Sequence, residues 1–338
     1  MPADLTRSLD AALNARSGLL ARLEAEDTNA YRLFHGTVEG SEGLTIDRYG
    51  EVLLVQSFHH PLPTDALAAV EAFYRKVYPD IVVVHNDRSM NGSRISNLLA
   101  GEATKRAQLP RQFKELGINY RFRARHAGSD PWLFLDLRAA RRRVLKDARD
   151  RSVLNVFAYT CGLGIAAAVG GARQVVNVDF SDTCLAVGKE NAGLNTIPIS
   201  VRFIRSDAFA ALRQYSGVGQ PEVVRRKRLP EFPKLAEQRF DLVFVDPPRY
   251  SRSPFGVVDV VRDYQALFKL ALLSTAEGGR MVCCNNAAEV DRAVWIDQME
   301  RCARKAGRPI REIEEIAPEG DFPSPDGRSP LKMVLLGV

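Results

Sequence analysis

The spacing of hydrophobic and polar positions divides the chain into two parts of different character. Up to residue 125, short apolar runs are separated by turns and by stretches of helical spacing, whereas from residue 126 onward apolar runs alternate with helical stretches. We therefore predict a smaller N-terminal α+β domain over residues 1–125 and a second domain over residues 126–338. A length of 338 residues also fits two domains better than one.

The first domain is predicted to begin with an amphipathic helix. Over residues 1–25 leucines recur at helical spacing, and acidic and basic residues occupy the other faces. Strands are predicted at residues 52–58 and 81–85, with a helix between them at residues 66–78. Residues 118–125 alternate strictly between apolar and polar side chains, which predicts an edge strand or a half-buried strand.

The second domain is predicted to hold a parallel sheet flanked by helices. Five short apolar runs are the strand candidates, at residues 153–157, 174–178, 201–204, 242–245 and 280–284. Helical spacing between them, for example over residues 183–194 and 264–274, is typical of a doubly wound α/β fold. In such a fold ligands bind at the carboxyl ends of the strands. A last strand at residues 331–336 is expected to be antiparallel, at the sheet edge.

The distribution of charge points to a polyanionic partner. The net charge of +6 is compatible with such a partner but does not require one. Three basic clusters together favour contact with nucleic acid: Arg121, Arg123 and Arg125; Arg138, Arg141, Arg142 and Arg143; and residues 225–228. The last cluster lies in residues 216–238, which are rich in proline and basic residues and fit neither hydrophobic pattern. We predict that this segment is a mobile surface insert.

The cysteine content and the hydropathy argue against several classes of protein. The five cysteines show no CxxC spacing, so neither a disulfide framework nor a metal site is indicated. No apolar run approaches the roughly 20 residues that a membrane span needs, and no signal-peptide pattern is found at the start of the chain. These features predict a cytoplasmic protein that does not enter a membrane.

The first candidate site element is the turn that follows the strand at residues 153–157. Residues 158–164 include small side chains and two glycines, which let backbone amides approach a ligand at the start of the next helix. Ala167 stands where the last small residue of a dinucleotide-binding motif would fall. The turn by itself therefore leaves a nicotinamide cofactor open.

Two carboxylates follow the next two strands. Asp179 ends the second strand, where an acidic side chain can accept both ribose hydroxyls of an adenosine. A helix cap is the other role for such a residue, but Ser181 and Asp182 are better placed for it. Asp207 follows the third strand, and it is equally suited to binding the exocyclic amine of adenine and to capping a helix.

The fourth strand leads into the most informative motif, Asp246-Pro247-Pro248-Arg249-Tyr250. Two prolines at the end of a strand stiffen the turn and fix which groups face the cleft. A planar base can then be held by the Asp246 carboxylate and the Pro247 carbonyl while Tyr250 stacks on its face. A dehydrogenase has no need of this loop, so the motif favours recognition of a base.

With these motifs the chain resembles the large-subunit ribosomal RNA methyltransferases, a group that includes a cytosine-C5 enzyme and the guanine-N7 half of a bifunctional enzyme. The matching stretches are AYRLF (30–34), LTIDRYGEVLLVQ (44–56), LFLDLRAARR (133–142), LNVFAYTCG (154–162), GGARQVVNVDFS (170–181), FDLVFVDPPRYS (240–251) and GGRMVCCNN (278–286). They cover both predicted domains. The resemblance implies a Rossmann-like, seven-stranded class I methyltransferase domain, S-adenosyl-L-methionine (AdoMet) as cofactor and ribosomal RNA as partner.

The resemblance also implies which residues surround the cofactor. Phe134, Asp136 and Arg138 are expected to close over AdoMet, and Asp179 is expected to hold its ribose. The complete set expected around AdoMet is Phe134, Asp136, Arg138, Phe157, Tyr159, Thr160, Gly162, Asp179, Phe180, Asp207 and Asp246.

One departure from the family pattern concerns the methyl acceptor. Cytosine-C5 members use a cysteine after the fifth strand, because C5 becomes nucleophilic only when a thiolate adds to the base. Here that position is Asn286, preceded by Asn285, whereas Cys283 and Cys284 fall inside the strand. Paired asparagines resemble the guanine-N7 branch, whose acceptor nitrogen carries its own lone pair and needs only alignment and charge stabilisation. Capping of the strand end is the alternative role for the pair.

The predicted catalytic set follows from these motifs. It comprises Asp246, Pro247, Tyr250, Asn285 and Asn286, and we expect direct methyl transfer to guanine N7 without a covalent intermediate or a metal. Cytosine C5, attacked through Cys283 or Cys284, is the alternative within the same class.

A second departure is Cys161, where the family usually has glycine in the cofactor turn. If the backbone there adopts a positive φ, the affinity for the cofactor is expected to be reduced. The chain also shows neither of the accessory RNA-binding modules that commonly accompany these catalytic domains, so RNA recognition is assigned to the N-terminal domain, the insert or a partner. Two other classes stay open: a non-catalytic RNA-binding assembly factor and, more distantly, a nicotinamide dehydrogenase.

Overall fold

The computed structural model describes residues 2–89, 101–126, 128, 130–221, 223–224 and 227–338. The chain forms two compact units. The first comprises Met1–Arg138 and Glu319–Arg328, and the second comprises Ala139–Pro318 and Ser329–Val338. The division therefore falls later than the predicted boundary at residue 125. A short segment near the C-terminus also returns to the first unit, which no local sequence pattern indicated.

The first unit is an α+β structure built on a four-stranded sheet. Its helices are α1 (Pro2–Ala15), α2 (Ser17–Ala25), α3 (Thr64–Val77) and α4 (Gly101–Gln108), with a 3-10 turn at Leu135–Leu137. Its strands are β1 (Ala30–His35), β2 (Leu44–Tyr49), β3 (Val52–Ser57), β4 (Val82–Asp87), β5 (Arg111–Glu115) and β6 (Ile118–Phe122). The sheet order is β1-β2-β3-β4, with β3 and β4 parallel because α3 crosses between them, and β5 and β6 form a separate hairpin.

The hydrophobic pattern accounts for the core of this unit. Leu9 of α1 and Leu23 of α2 are fully buried in one cluster with apolar residues of the sheet. The predicted amphipathic helix therefore buries its leucine face, but it forms two helices that meet at Arg16. The alternating run forms β6, in which Ile118, Tyr120 and Phe122 are buried.

The second unit holds a seven-stranded, mostly parallel sheet, as the resemblance implied. Its sheet strands are β7 (Ser152–Val156), β8 (Gln174–Asp179), β9 (Val201–Arg205), β12 (Phe240–Val245), β15 (Thr275–Asn285), β16 (Glu312–Glu315) and β17 (Lys332–Gly337). The short pairs are β10 (Val223–Val224) with β11 (Lys227–Arg228), and β13 (Tyr250–Ser253) with β14 (Gly256–Asp259). The helices are α5 (Arg138–Asp147), α6 (Gly162–Val169), α7 (Asp182–Gly193), α8 (Ala208–Tyr215), α9 (Tyr264–Leu273) and α10 (Arg292–Lys305).

The sheet order is β16-β17-β15-β12-β7-β8-β9. Strands β15, β12, β7, β8 and β9 are parallel to one another, and β17 is antiparallel to both β15 and β16. The predicted antiparallel last strand is confirmed, but its place at the sheet edge was wrong because β16 lies outside it. Strand β16 escaped prediction because all four of its residues are exposed and three of them are glutamates.

The carboxyl ends of the parallel strands lie on one edge of the sheet and bring the site motifs together. Strand β7 is buried along its whole length, between β8 and β12. Helices α8, α9 and α10 pack in one apolar cluster with the sheet, and Tyr215, Phe268 and Trp295 are among its buried members. Within the described part of the chain, no helix has the length and apolar character needed to cross a membrane.

Candidate active site

The turn between β7 and α6 has an unusual backbone. Phe157, Tyr159 and Cys161 adopt positive φ angles of 56°, 49° and 64°. Residues with a Cβ atom rarely adopt this conformation, which costs about 1 kcal/mol or more for each of them. Backbone hydrogen bonds hold the turn, because the amide of Ala158 donates to the carbonyl of Val178 at 3.0 Å. The turn is thereby fastened to the neighbouring strand β8.

Cys161 lies beneath this turn at the start of α6. Its side chain is fully buried, and burial raises the pKa of its thiol well above the ordinary value. Gly188 of α7 makes room for it, since a Cβ atom placed on Gly188 would lie 2.5 Å from the Cys161 sulfur. The sequence left open whether this position has a positive φ, and the structure shows that it does. Cys161 is therefore a packing residue in a strained position.

Asp179 ends β8 and fastens the same turn. One carboxylate oxygen accepts a hydrogen bond from the Tyr159 amide at 2.8 Å, and the other accepts from the Ser181 amide at 2.9 Å. Ser181 caps α7 through its hydroxyl, as predicted, so Asp179 does not serve as that cap. Burial raises the pKa of Asp179 above its ordinary value, although these amides act in the opposite direction. Because carboxylate oxygens accept several donors, Asp179 can still bind ligand hydroxyls.

Asp207 caps a helix, which is one of the two roles that the sequence left open, and its contact with adenine stays a prediction. One of its carboxylate oxygens caps α8 by accepting from the amides of Phe209 and Ala210, at 2.9 and 3.1 Å. Asp207 also lines a cavity of about 790 Å³ at the carboxyl ends of the strands. Helix capping uses one oxygen in these bonds, so it does not prevent the carboxylate from contacting a ligand.

The cavity has two walls. One wall is formed by Phe157, Val178, Asp179, Phe180, Arg205, Ser206, Asp207, Ala208 and Phe209, which follow or end β7, β8 and β9. The other is formed by Pro230, Glu231, Phe232 and Pro233 of the insert, with Ser251, Arg252 and Pro254 of the β13–β14 hairpin. The cavity thus combines carboxylates with aromatic rings, a lining that suits a nucleoside.

The Asp-Pro-Pro motif follows β12, which pairs with β7 in the centre of the sheet. Asp246 is half-buried and Pro247 is buried. Tyr250 begins β13, and its side chain is 57% exposed. Arg249 forms an ion pair with Glu289, which follows β15. A half-buried carboxylate therefore lies a few residues from an exposed aromatic ring at the carboxyl edge of the sheet.

Comparison with known families decides the class. A family model described as S-adenosylmethionine-dependent methyltransferase matches residues 31–337. The chain belongs to this family. It is therefore an AdoMet-dependent methyltransferase, and the nicotinamide and non-catalytic alternatives are set aside.

Two curated relatives are similar over nearly the whole chain. The Aeromonas salmonicida protein named ribosomal RNA large subunit methyltransferase I is 30% identical over 329 residues, which cover 94% of this chain and 75% of the relative. The Escherichia coli protein of the same name is 27% identical over 323 residues, with the same coverage of 94% and 75%. The methyltransferase thus spans three quarters of the length of these relatives.

Solved structures show the same fold. A candidate methyltransferase complexed with SAH has a TM-score of 0.80 at 22% identity, over 100% of this chain and 82% of that one. A SAM-dependent methyltransferase from Agrobacterium tumefaciens has a TM-score of 0.58 at 18% identity, over 92% of this chain and 89% of that one. The Rossmann-like class I architecture expected from the motifs is confirmed.

The cavity residues fit the adenosine half of AdoMet. Asp179 can accept from ribose hydroxyls and Asp207 from the adenine amine, while Phe157 and Phe209 supply apolar surface. The other expected contacts in this unit, Tyr159, Thr160, Gly162 and Asp246, belong to the β7–α6 turn and the β12 end and stay predictions.

The two asparagines after β15 have different environments. Asn285 is fully buried, its amide nitrogen donates to the Val260 carbonyl at 3.2 Å, and its oxygen accepts from the Ala287 amide at 3.0 Å. Asn286 is exposed. The assignment of Asn285 to the base edge is therefore corrected. It caps the strand end and ties β15 to the residue after β14, whereas a contact of the exposed Asn286 with the base stays a prediction.

Cys283 and Cys284 are both fully buried inside β15. Burial raises the pKa of Cys283 to about 12, so its thiol is protonated at neutral pH. Strand pairing fixes Cys283 opposite Val245 of β12 and Cys284 opposite Met333 of β17. Burial of both side chains, and the raised pKa of Cys283, do not suit a nucleophile that must reach a bound base.

Arg138 was expected to close over AdoMet, but its side chain is enclosed by protein groups. Its side chain is fully buried in the first unit and donates two hydrogen bonds to Asp321, at 3.1 and 2.9 Å. Glu319 accepts a third hydrogen bond at 3.1 Å, and a Glu115 oxygen lies 3.4 Å from Arg138 Nε. Arg138 therefore holds its own unit together. Phe134 and Asp136 belong to the first unit as well, and their contact with AdoMet stays a prediction.

The basic clusters differ in how far they face solvent. Arg141 is buried like Arg138, and Arg143 pairs with Asp147 and Glu314, so the cluster before β7 is not a free basic surface. The arginines of the alternating run, Arg121, Arg123 and Arg125, lie half-buried on the polar side of β6 and its continuation. In the run at residues 225–228, positions 225 and 226 lie outside the described residues.

Sequence reasoning missed two residues, Asp321 and Phe232. Asp321, the main partner of Arg138, lies in a segment with no motif, and only its contacts across the chain identify it. Phe232 of the insert lines the same cavity as Asp179 and Asp207, although the insert matched no family motif. An isolated phenylalanine among prolines and charged residues was the available signal.

Proposed function

We propose that this methyltransferase modifies a base of large-subunit ribosomal RNA. Relatives whose names state a ribosomal RNA large-subunit activity align with 94% of the chain. The β12 end supports the same substrate class, because a half-buried carboxylate is followed by an exposed aromatic ring. Carboxylates bond base edges, and aromatic rings stack on base faces. The observation that carries the proposal is the exposed Tyr250 ring after the Asp-Pro-Pro turn.

The residues of the chain bind and orient both reactants. When bound, AdoMet supplies an electrophilic methyl group on its sulfonium sulfur. Asp179 and Asp207 hold the adenosine part, while Asp246 and the Pro247 carbonyl accept hydrogen bonds from the base edge. Tyr250 stacks on the base and fixes its plane. Alignment of this kind supplies much of the rate enhancement when the acceptor atom is already nucleophilic.

Guanine N7 is the acceptor atom that these residues favour. A cytosine-C5 mechanism needs a thiolate at the strand end, whereas Cys283 is fully buried with a pKa raised to about 12. The family position of that cysteine is occupied by Asn286, which is exposed and can donate a hydrogen bond to the base. N7 transfer needs no thiol, since the nitrogen lone pair attacks directly.

We assign the first contact with RNA to the first unit. Arg123 lies 5.4 Å over the ring of Trp132, and both residues are half-buried. Guanidinium groups beside aromatic rings are typical of surfaces that bind RNA phosphates and unpaired bases. A target base in a helix has to leave the stack to reach Asp246, so unpaired nucleotides of ribosomal RNA are the favoured substrates.

The test is transfer of labelled methyl from AdoMet to ribosomal RNA from a strain that lacks the gene, followed by nucleoside mass spectrometry. We expect labelled 7-methylguanosine, with the same product from Cys283→Ser and Cys284→Ser variants. Labelled 5-methylcytidine that disappears in either variant would overturn the choice of atom. Absence of label from every nucleoside, with AdoMet binding intact, would overturn the choice of substrate.

A further inference from the structure

The second wall of the AdoMet cavity comes from segments outside the cofactor motifs. Pro230, Glu231, Phe232 and Pro233 belong to the insert between α8 and β12, and Ser251, Arg252 and Pro254 belong to the β13–β14 hairpin. These residues line the same cavity as Asp179 and Asp207. Because Asp179 and Asp207 suit the ribose and adenine of AdoMet, the second wall faces the part of the cavity that fits adenosine.

Residues 230–238 form the C-terminal limb of the insert, which carries this wall and is anchored to α8 by hydrogen bonds. The side chain of Gln214 donates to the Pro233 carbonyl at 3.0 Å and accepts from the Leu235 amide at 2.9 Å. The backbone amide of Gln238 donates to the backbone carbonyl of Tyr215 at 3.1 Å, and Leu235 packs against the apolar core. The expectation of a mobile surface segment therefore does not describe this limb.

A row of aromatic rings joins the two walls. The Phe255 ring lies 5.9 Å from the Phe232 ring at an interplanar angle of 23°, and 6.2 Å from the Phe209 ring at 32°. Phe209 and Phe232 line the cavity, whereas Phe255 is not among its lining residues. Phe255 therefore connects the wall that follows β9 with the wall from the insert, and it lies in the hairpin that begins with Tyr250.

We propose that Phe232 is a cofactor-binding residue that closes the adenosine end of the cavity, with Phe255 as the positioning residue that holds it there. Adenine is planar and apolar on its faces, and aromatic side chains bind such a surface by stacking or edge contact. The insert is then a part of the cofactor site that the shared motifs do not specify. This assignment does not depend on which RNA is methylated.

The test is isothermal titration calorimetry of the whole chain with S-adenosylhomocysteine and, separately, with adenosine. Phe232→Ala weakens both ligands by the same factor, about tenfold, because the lost contact is with the part that they share. Phe232→Tyr keeps the ring and restores both dissociation constants. Lys234→Ala is the matched control, because Lys234 is exposed on the same limb and does not line the cavity.

Two further outcomes decide the proposal. Unchanged dissociation constants in a folded Phe232→Ala protein would overturn it, and so would a loss confined to S-adenosylhomocysteine, which would place Phe232 at the amino-acid end. If Phe232→Ala does not fold, Phe232→Leu supplies the same comparison with less volume lost. Phe255→Ala is expected to weaken adenosine, and the double alanine variant to be no weaker than Phe232→Ala, since Phe255 acts through Phe232. Additive losses contradict the role given to Phe255.

Discussion

A Cβ atom on Gly188 would lie 2.5 Å from the sulfur of Cys161, so the two residues form a complementary pair where α7 meets the start of α6. Cys161 occupies a backbone conformation that usually takes glycine, with φ at 64°. Its side chain is accommodated because the facing position in α7 has none. The shape of the cofactor turn therefore depends on both residues.

We expect Gly188→Ala to destabilise the methyltransferase by about 1–3 kcal/mol, as overpacking in a rigid core does. Binding of S-adenosylhomocysteine is expected to weaken as well, because the displaced sulfur lies directly under the turn. Adding Cys161→Gly should recover much of both losses by removing the clash and the strained Cβ. Denaturant unfolding and calorimetry of the two single variants and the double variant measure this coupling, and strictly additive effects would contradict it.

Asp179 predicts a pH dependence of cofactor binding. Burial raises its pKa in the folded protein, so the carboxylate takes up a proton at a higher pH than an ordinary aspartate does. Protonation removes an acceptor for the ribose hydroxyls, so affinity for S-adenosylhomocysteine should fall as the pH decreases through this raised pKa. Asp179→Asn should bind about tenfold more weakly at neutral pH and lose this part of the dependence. Calorimetry across the acidic range checks both, and an unchanged pH profile in the variant would count against the assignment.

Asn285 and Asn286 provide a matched pair of substitutions. Asn285→Ala should lower the free energy of unfolding by about 1–3 kcal/mol, because it leaves the buried Val260 carbonyl and Ala287 amide without their partner. Asn286→Ala should leave stability unchanged and lower kcat/KM for RNA by about tenfold. Thermal unfolding and methyl-transfer kinetics on the same preparations separate the two roles. A stable Asn285→Ala protein with impaired transfer would reverse them.

Substitution of Asp321 is expected to lower the stability of the protein through the loss of its contact with Arg138. Asp321→Asn removes the charge that binds Arg138 through two hydrogen bonds, in a place where both side chains are fully buried. We expect a loss of about 3 kcal/mol, as when one partner of a buried ion pair is removed. Asp326→Asn in the same segment is the control, because Asp326 is exposed. Denaturant unfolding measures the difference, and equal stabilities of the two variants would be incompatible with the role given to Asp321.

Local patterns in the sequence were sufficient for the fold class and for the position of the main motifs. Buried parallel strands are continuously apolar, so their order along the chain indicated an α/β sheet and placed Asp179 and Asp246 at strand ends. Helical spacing of apolar residues also placed helix boundaries close to those of the structure. For α9 the spacing predicted residues 264–274, and the helix spans Tyr264–Leu273. Strand β16 was missed because its exposed residues carry no apolar signal.

Only the tertiary structure showed which of the motif residues are exposed and which are buried against other residues. Consecutive residues of a strand point to opposite sides, but the sequence does not say which side is covered, and contact with Val260 turns Asn285 inward and leaves Asn286 exposed. The resemblance implied that Arg138 contacts AdoMet, whereas the structure shows its guanidinium bonded to Asp321, 183 positions away. Phe232 gained a role only when the chain brought it to Phe255 and the cavity. Contacts between distant residues depend on packing in three dimensions, which short-range periodicity does not encode.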